Sequence, residues 1–193
     1  MWLKRGAPPR RFSAVQTYVV GQLEFVWHAR FPIARVGSLH VIDRLEHGQG
    51  SLDQRLLGWV PMARDRGPAV TEGQALRYLA ELPWVPHALL ANRAVDVREL
   101  DERNLEVAAR LGDRRLALRL EFDGNGEIAT ASTDSRPRIE GKEAIPTRWA
   151  GSFSRYAEVG GVHIPTRAQV HWYLEDGPFK YFDAEVTGLQ QIP

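Results

Sequence analysis

Alternation of apolar and polar residues is the strongest pattern along the chain. From residue 23 to 33 apolar side chains occupy every second position, and polar ones such as Glu24 and Arg30 occupy the positions between them. This period of two predicts a half-buried β-strand. Residues 39–45 alternate less regularly and predict a second strand, in which Asp43 interrupts an apolar face.

Residues 51–63, SLDQRLLGWVPMA, fit either a strand or a short helix, and we favour a strand. The charged segment ARDRGP that ends this stretch, residues 63–68, predicts a turn-like loop.

A helical pattern follows at residues 71–83. Thr71 is the predicted N-cap, and Gln74 stands three residues later, at the spacing of a capping box. Pro83 and Pro86 end or kink the helix. A further helical turn is predicted at His87–Ala91. The apolar stripe of the helix consists of Ala75, Leu76, Leu79 and Leu82.

The rest of the chain predicts a β-meander with turn residues at its joints. Residues 135–150 break the rhythm, because they are rich in charge, contain two prolines and show no period. They predict a connecting loop, either solvated or lying over a site as a lid. The predicted strands are residues 94–99, 104–111, 114–123, 127–134, 152–159, 162–175 and 179–188.

About nine or ten strands and one long helix define the expected fold. A sheet of that size has to curl, and one helix is too small to cover it. We therefore expect an α+β, mainly β fold: a curved antiparallel sheet, or half-barrel, wrapped around or capped by one amphipathic helix. Residues 1–193 form a single domain in this prediction, and residues 1–11 form a flexible N-terminal segment.

Composition narrows the class of protein. Hydrophobic residues make up 44% of the 193 residues and charged residues 25%, which is ordinary for a globular protein. The net charge of +1 predicts no nucleic-acid partner, and the absence of cysteine excludes disulfides and thiolate sites. No apolar segment resembles a signal peptide or a transmembrane helix, so the default location is cytoplasmic.

Several motifs resemble a bacterial family of proteins that share a domain of unknown function. They include RYLAELPWVPHALL at residues 77–90, in which RYLAE-x-x-W-x-P is the most distinctive part, and GGVHIP at 160–165. The resemblance covers residues 12–190. In layout the family is similar to LolA/LolB-type lipoprotein carriers, which implies an incurved antiparallel sheet closed by a helical lid over an apolar cavity.

Six tryptophans in one chain predict either a cavity lined by aromatic rings or a large core in which the indoles fill volume. In the first case the ligand is a lipid-like or apolar small molecule. The candidate ligand-binding residues are Trp27, Arg77, Tyr78, Glu81, Trp84, Trp149, Trp172 and Tyr181.

The charged residues allow more than one interpretation. Arg77 and Glu81 have the helical spacing of a surface ion pair, although Arg77 could instead face a ligand head group. Asp43 is either a buried acid with a raised pKa, a partner of an arginine such as Arg30 or Arg167, or a solvated residue at a strand end.

Histidines and glycines give no catalytic or metal-binding motif. His28 and His40 could face each other on neighbouring strands, but no pair of histidines has metal-ligand spacing. No metal, no cofactor and no catalytic residue is therefore predicted. The glycines fit neither a dinucleotide-binding nor a Walker motif, and no serine lies in a nucleophile elbow.

These observations favour a non-enzymatic binding protein for a lipid-like or apolar small molecule, held in the cavity of a curved sheet with Trp84 at its mouth. One alternative is an enzyme that uses a buried carboxylate, Asp43 or Glu81, beside a histidine such as His28. The other is an interaction module that docks a partner through a sheet edge or an aromatic patch.

Overall fold

A computed structural model of the chain describes residues 1–2, 4–33 and 37–192. It contains twelve strands in two antiparallel sheets, one long helix and a second short helix. The helices are α1 (Pro68–Ala80) and α2 (Pro86–Ala91), joined through a 3₁₀ turn at Leu82–Trp84. The strands are β1 (Ser13–Val19), β2 (Glu24–Ile33), β3 (Gly37–Glu46), β4 (Gln49–Leu56), β5 (Val60–Arg66), β6 (Val95–Asp101), β7 (Asn104–Leu111), β8 (Arg114–Phe122), β9 (Ile128–Glu140), β10 (Glu143–Val159), β11 (Val162–Leu174) and β12 (Gly177–Glu185).

Each sheet is a meander in which every strand pairs with the next strand along the chain. The first sheet has the order β1-β2-β3-β4-β5, and the second has the order β12-β11-β10-β9-β8-β7-β6. The mainly β architecture with antiparallel pairing and one long amphipathic helix is thus confirmed. The expectation of a single sheet with nine or ten strands is wrong, because no pairing joins the two sheets within the described ranges.

Helix α1 lies between the sheets and supplies the centre of the core. It packs on β3 and β4 of the first sheet and on β7, β8 and β9 of the second. Its helical spacing turns several apolar side chains toward both sheets at once, which removes them from water. The fully buried ones are Ala75, Leu76, Tyr78, Leu79 and Ala80.

Residues 51–63, which were favoured as a strand, contain parts of two strands, β4 and β5, with a turn at residues 57–59. Two segments that were predicted to be loops belong to strands: the last residues of β5, within the predicted loop at 63–68, and residues 136–147. Six of the seven residues of β5 are exposed, so this edge strand lacks the apolar face that marks a strand in a sequence. In the second segment β9 and β10 continue as a hairpin over residues 136–147, which pair only with one another and turn at Gly141. A lid formed by a loop at 135–150 is therefore wrong, because the segment is a paired β-ribbon.

Helix α1 begins three residues earlier than its pattern predicted. Gly67 is the N-cap and Pro68 takes the first turn, where a missing N–H costs nothing. Thr71 lies inside the helix, so its prediction as N-cap is wrong. Its hydroxyl donates to the carbonyl of Gly67 and accepts the N–H of Gly50, both at 3.0 Å. The further helical turn predicted after Pro86 is confirmed as α2.

Gly50 allows β4 to approach the start of α1. A Cβ atom at this position would lie 2.6 Å from the Thr71 Cα, a backbone atom that has little room to yield. We expect Gly50→Ala to lower the free energy of unfolding by about 1–3 kcal/mol. Gly73→Ala is the matched control: its Cβ meets nothing within 4 Å, and we expect alanine to stabilise the helix by about 0.5–1 kcal/mol. Urea unfolding of both variants checks the prediction, and equal effects would contradict it.

Candidate ligand-binding cavity

A cavity of about 670 Å³ lies where the open edges of the two sheets face each other. Strand β1 forms the edge of the first sheet, and β12 forms the edge of the second. Helix α1 and the 3₁₀ turn contribute residues to the lining between these edges, and residues 9–12 and 186–189 contribute others. This volume is in the range of pockets that hold small molecules.

Aromatic side chains join the two sheets across one wall of the cavity. The Phe12 ring lies 6.0 Å from that of Trp27 and 5.4 Å from that of Phe31, both on β2. It also lies 5.4 Å from the ring of Phe182 on β12. Trp84 and Ile164 contribute further apolar surface. The wall therefore offers an apolar ligand contact with both sheets.

The polar part of the lining is centred on the carboxylate of Glu81, just after the end of α1. Its Oε2 accepts hydrogen bonds from Gln16 Nε2 at 2.6 Å and from the Tyr18 hydroxyl at 2.9 Å, both on β1. Burial raises the pKa of Tyr18 well above its ordinary value, and the charge of Glu81 adds to this effect. The phenol therefore remains protonated and donates to the carboxylate.

Arg77 connects this carboxylate with the first sheet. Its Nε donates to Glu81 Oε1 at 2.8 Å, its Nη1 to Asp43 Oδ2 at 2.6 Å and its Nη2 to Gln16 Oε1 at 3.2 Å. The guanidinium carbon also lies 4.8 Å from the ring centroid of Trp27. Burial by itself lowers the pKa of Arg77, but the carboxylates of Glu81 and Asp43 raise it above the ordinary value. Arg77 is thus a permanently charged centre of the network.

The structure decides between the alternatives that the sequence left open for the Arg77–Glu81 pair and for Asp43. The helical pair forms, but its side chains are only 12% and 13% exposed, so it is a buried pair rather than a surface one. Asp43 is buried and pairs with Arg77, not with Arg30 or Arg167. Burial raises the pKa of Asp43, against the opposing charge of Arg77, and its Oδ1 accepts no hydrogen bond from the described residues.

A second arginine, which is half-buried, balances the charge of this region. Arg136 stands 4.5 Å from the ring centroid of Trp149 and donates to the carbonyl of Gly73 in α1 at 3.2 Å. Burial lowers the pKa of Arg136. With Arg77 it supplies two positive charges against the two carboxylates, so the interior carries no large net charge.

The eight candidate ligand-binding residues divide into two groups. Trp27, Arg77, Glu81 and Trp84 line the cavity. Trp84 also donates its indole N–H to the carbonyl of Pro165 at 2.9 Å, which fixes the ring at the junction of the 3₁₀ turn and β11.

The other four candidates lie outside the cavity lining. The Tyr78 hydroxyl donates to the carbonyl of Val19 at 3.1 Å and accepts from Asn92 at 2.9 Å. Trp149 donates its indole N–H to the Tyr181 hydroxyl at 3.0 Å, and Trp172 stacks on Tyr181 at 6.0 Å. The structure therefore brings Trp149, Trp172 and Tyr181 into contact with one another, and Tyr78 into contact with Val19 and Asn92, rather than placing them in the cavity lining.

Sequence reasoning missed the contribution of β1. Gln16 and Tyr18 point inward, whereas the apolar Val15 and Val19 are exposed. An alternation that assumes apolar residues inside would assign the wrong face of this strand to the interior. Only the tertiary structure, in which both groups donate to Glu81, shows that the Gln16 amide and the Tyr18 phenol face the interior.

The histidines do not meet the buried carboxylates. His28 Nε2 lies 2.8 Å from His40 Nδ1, so the predicted contact between these two residues is confirmed. In the sheet register Asp43 is opposite Trp27, whereas His28 is opposite Ile42 on the other face. Asp43 and His28, which were considered together for the enzymatic alternative, therefore do not pair, because strand alternation places them on opposite faces. No group of at least three potential metal-ligating side chains occurs in the described part of the chain.

Fold and cavity together define a class of mainly β protein, in which two antiparallel sheets enclose one long helix and leave a cavity between their open edges. Residues 1–184 match a family of unknown function, DUF6544, and the chain belongs to this family. No curated protein and no solved structure matches the chain. Within the described residues, no helix is long and apolar enough to cross a membrane. The likeness to LolA/LolB-type carriers stays a prediction.

Proposed function

We propose that the protein is a non-enzymatic binding protein for an amphipathic, lipid-like small molecule, which the cavity between β1 and β12 holds. The observation that carries the proposal is the combination of an aromatic wall with one localised polar region in a cavity of about 670 Å³. Small-molecule sites have this composition: mostly apolar lining and a few polar groups that orient the ligand.

The apolar part of the ligand would contact Phe12, Trp27 and Trp84, and its polar end would lie near Gln16 and Glu81. Burial of apolar surface supplies the main driving force of such binding, at roughly 25 cal/mol per Å². The layout resemblance to lipoprotein carriers agrees with this kind of ligand, but it is an analogy of fold.

The hydrogen bonding of the polar groups supports binding rather than catalysis. Arg77 donates to three acceptors within the protein, and both oxygens of Glu81 already accept hydrogen bonds. A general acid or base has to exchange a proton with a substrate in contact with it. Groups that are engaged with one another in this way are better suited to orienting a ligand.

Native mass spectrometry tests whether a ligand is present. We expect protein purified from the cells that naturally produce it to carry a stoichiometric adduct, which organic extraction releases as an amphipathic molecule. Titration with the fluorescent fatty acid cis-parinaric acid provides a second measurement on emptied protein, and we expect saturable binding.

A variant that fills the cavity tests whether the ligand binds there. Ala184 lines the cavity on β12, and Ala184→Phe should weaken binding of cis-parinaric acid about tenfold or more, because the ring occupies ligand space. Ala157→Phe, at an exposed position on β10 away from the cavity, is the matched control and should bind as the wild type does. The proposal fails if neither an adduct nor saturable binding is found, or if the two variants bind equally well.

A further inference from the structure

The tip of the β4–β5 hairpin exposes a group of large apolar side chains, which we call the hairpin tip: Leu57, Trp59 and Met62. Their exposed fractions are 45%, 73% and 60%. The other five tryptophans of the chain are buried or half-buried. Exposure of single apolar residues is ordinary, but three within six positions, two in the turn and one at the irregularity in the pairing of β5, form an exposed apolar group that calls for an occupant.

The backbone of the hairpin tip holds a leucine in an unfavourable conformation. Leu57 has φ +57° and Gly58 has φ +83°, and the N–H of Trp59 donates to the carbonyl of Leu56 at 3.3 Å. This is the geometry of a type I′ turn, whose first central position favours asparagine, aspartate or glycine. A leucine there costs conformational free energy, and residues that store such strain cluster at functional sites.

Other contacts fix the position of this leucine. Its N–H donates to the carbonyl of Ser38 at 2.8 Å, and a Cβ atom placed on Gly37 would overlap its side chain. The turn therefore rests on the start of β3, and the leucine is presented at a defined place rather than on a free loop.

Positive charge lies behind the hairpin tip on the outer face of the first sheet. Arg30 is opposite His40, and His40 is opposite Arg55, so the two arginines occupy one row across three strands. Arg64 belongs to the same face and is paired with the buried Asp53. Asp53 is the only acidic residue in segments 28–33, 37–42 and 53–64, which flank the tip.

We propose that the hairpin tip docks on the surface of an anionic lipid bilayer. Trp59, Leu57 and Met62 would enter the interfacial region, where tryptophan is favoured, and the arginines behind them would face lipid phosphates. Charge complementarity favours this occupant. A stable protein partner would need about 800 Å² on each side, far more than three side chains at a hairpin end provide. The inference does not depend on the proposed cavity ligand.

Sedimentation with lipid vesicles tests the proposal on the full chain. We expect binding to vesicles of phosphatidylcholine with about one-third phosphatidylglycerol, weaker binding to pure phosphatidylcholine, and a loss of binding as salt increases. Trp59→Ser should reduce the partition coefficient about tenfold. Leu90→Ser removes a large apolar side chain outside the tip that is 90% exposed on α2, and this variant should bind as the wild type does.

Leu57→Asn separates docking from folding because its two expected effects have opposite signs. Asparagine suits the turn, so the melting temperature should rise by roughly a few degrees, while vesicle binding should fall as it does for Trp59→Ser. The proposal is overturned if the wild type does not bind anionic vesicles, or if both tip variants bind as well as the wild type. It is also overturned if light scattering shows a dimer that Trp59→Ser dissociates, since the occupant would then be a second copy.

Discussion

Replacing Arg77 by methionine should lower the free energy of unfolding by about 3–5 kcal/mol. The substitution keeps much of the side-chain volume but leaves Asp43 and Glu81 without their cation, in positions where both side chains are about nine-tenths buried. A buried charge that loses its partner keeps its desolvation cost and loses the compensating attraction. Guanidinium unfolding followed by circular dichroism measures the effect.

Two further variants show whether the charge itself is responsible. Arg114→Met removes an arginine that is 67% exposed and paired with Glu72, and it should change stability by less than about 0.5 kcal/mol. Adding Asp43→Asn and Glu81→Gln to Arg77→Met removes the stranded charges, and it should recover part of the loss. An Arg77→Met variant no less stable than Arg114→Met would show that the network does not hold β1 and β3 to the helix.

The second large effect is expected for Trp149→Ala, which should cost about 3–5 kcal/mol. Trp149 is 4% exposed, packs against the guanidinium of Arg136 and donates its indole N–H to Tyr181. Its removal opens a cavity in the second sheet and takes away the aromatic partner of a half-buried cation.

The same substitution at another tryptophan provides the control. Trp59→Ala changes a side chain that is 73% exposed, so the free energy of unfolding should move by less than about 0.5 kcal/mol. Comparable losses from the two variants would mean that Trp59 is packed in solution. That result would also remove the basis for the hairpin tip as a docking surface.

Elements with a regular apolar face could be predicted from the sequence. The alternation at residues 23–33 corresponds to β2, where Phe25, Trp27, Ala29 and Phe31 are all buried. The apolar stripe after Thr71 corresponds to α1, although the pattern misplaced the start of the helix. Local side-chain periodicity carries this information because one face of each element meets the core.

Elements without such a face could not be predicted. The last residues of β5 and the ribbon formed by residues 136–147 are held by backbone pairing and remain largely exposed, so polar residues can occupy them as well as apolar ones. Strand β1 was missed for a different reason: its inward groups, Gln16 and Tyr18, are polar because they bind Glu81. The hydrogen bonds to Glu81 explain why these inward positions are polar, against the usual pattern of apolar residues inside.

The sequence by itself determined most of the strands, the amphipathic helix and many of the turns, because these depend on residues close together in the chain. Only the tertiary structure decided which side chains meet. Arg77 contacts Asp43, 34 positions away, and Gln16, 61 positions away, because α1 lies against both strands. The same packing separates Tyr78 and Trp149 from the cavity and leaves the edges of β1 and β12 facing each other. Periodicity specifies which face of an element is buried, but the packing of distant elements decides which residues that face contacts.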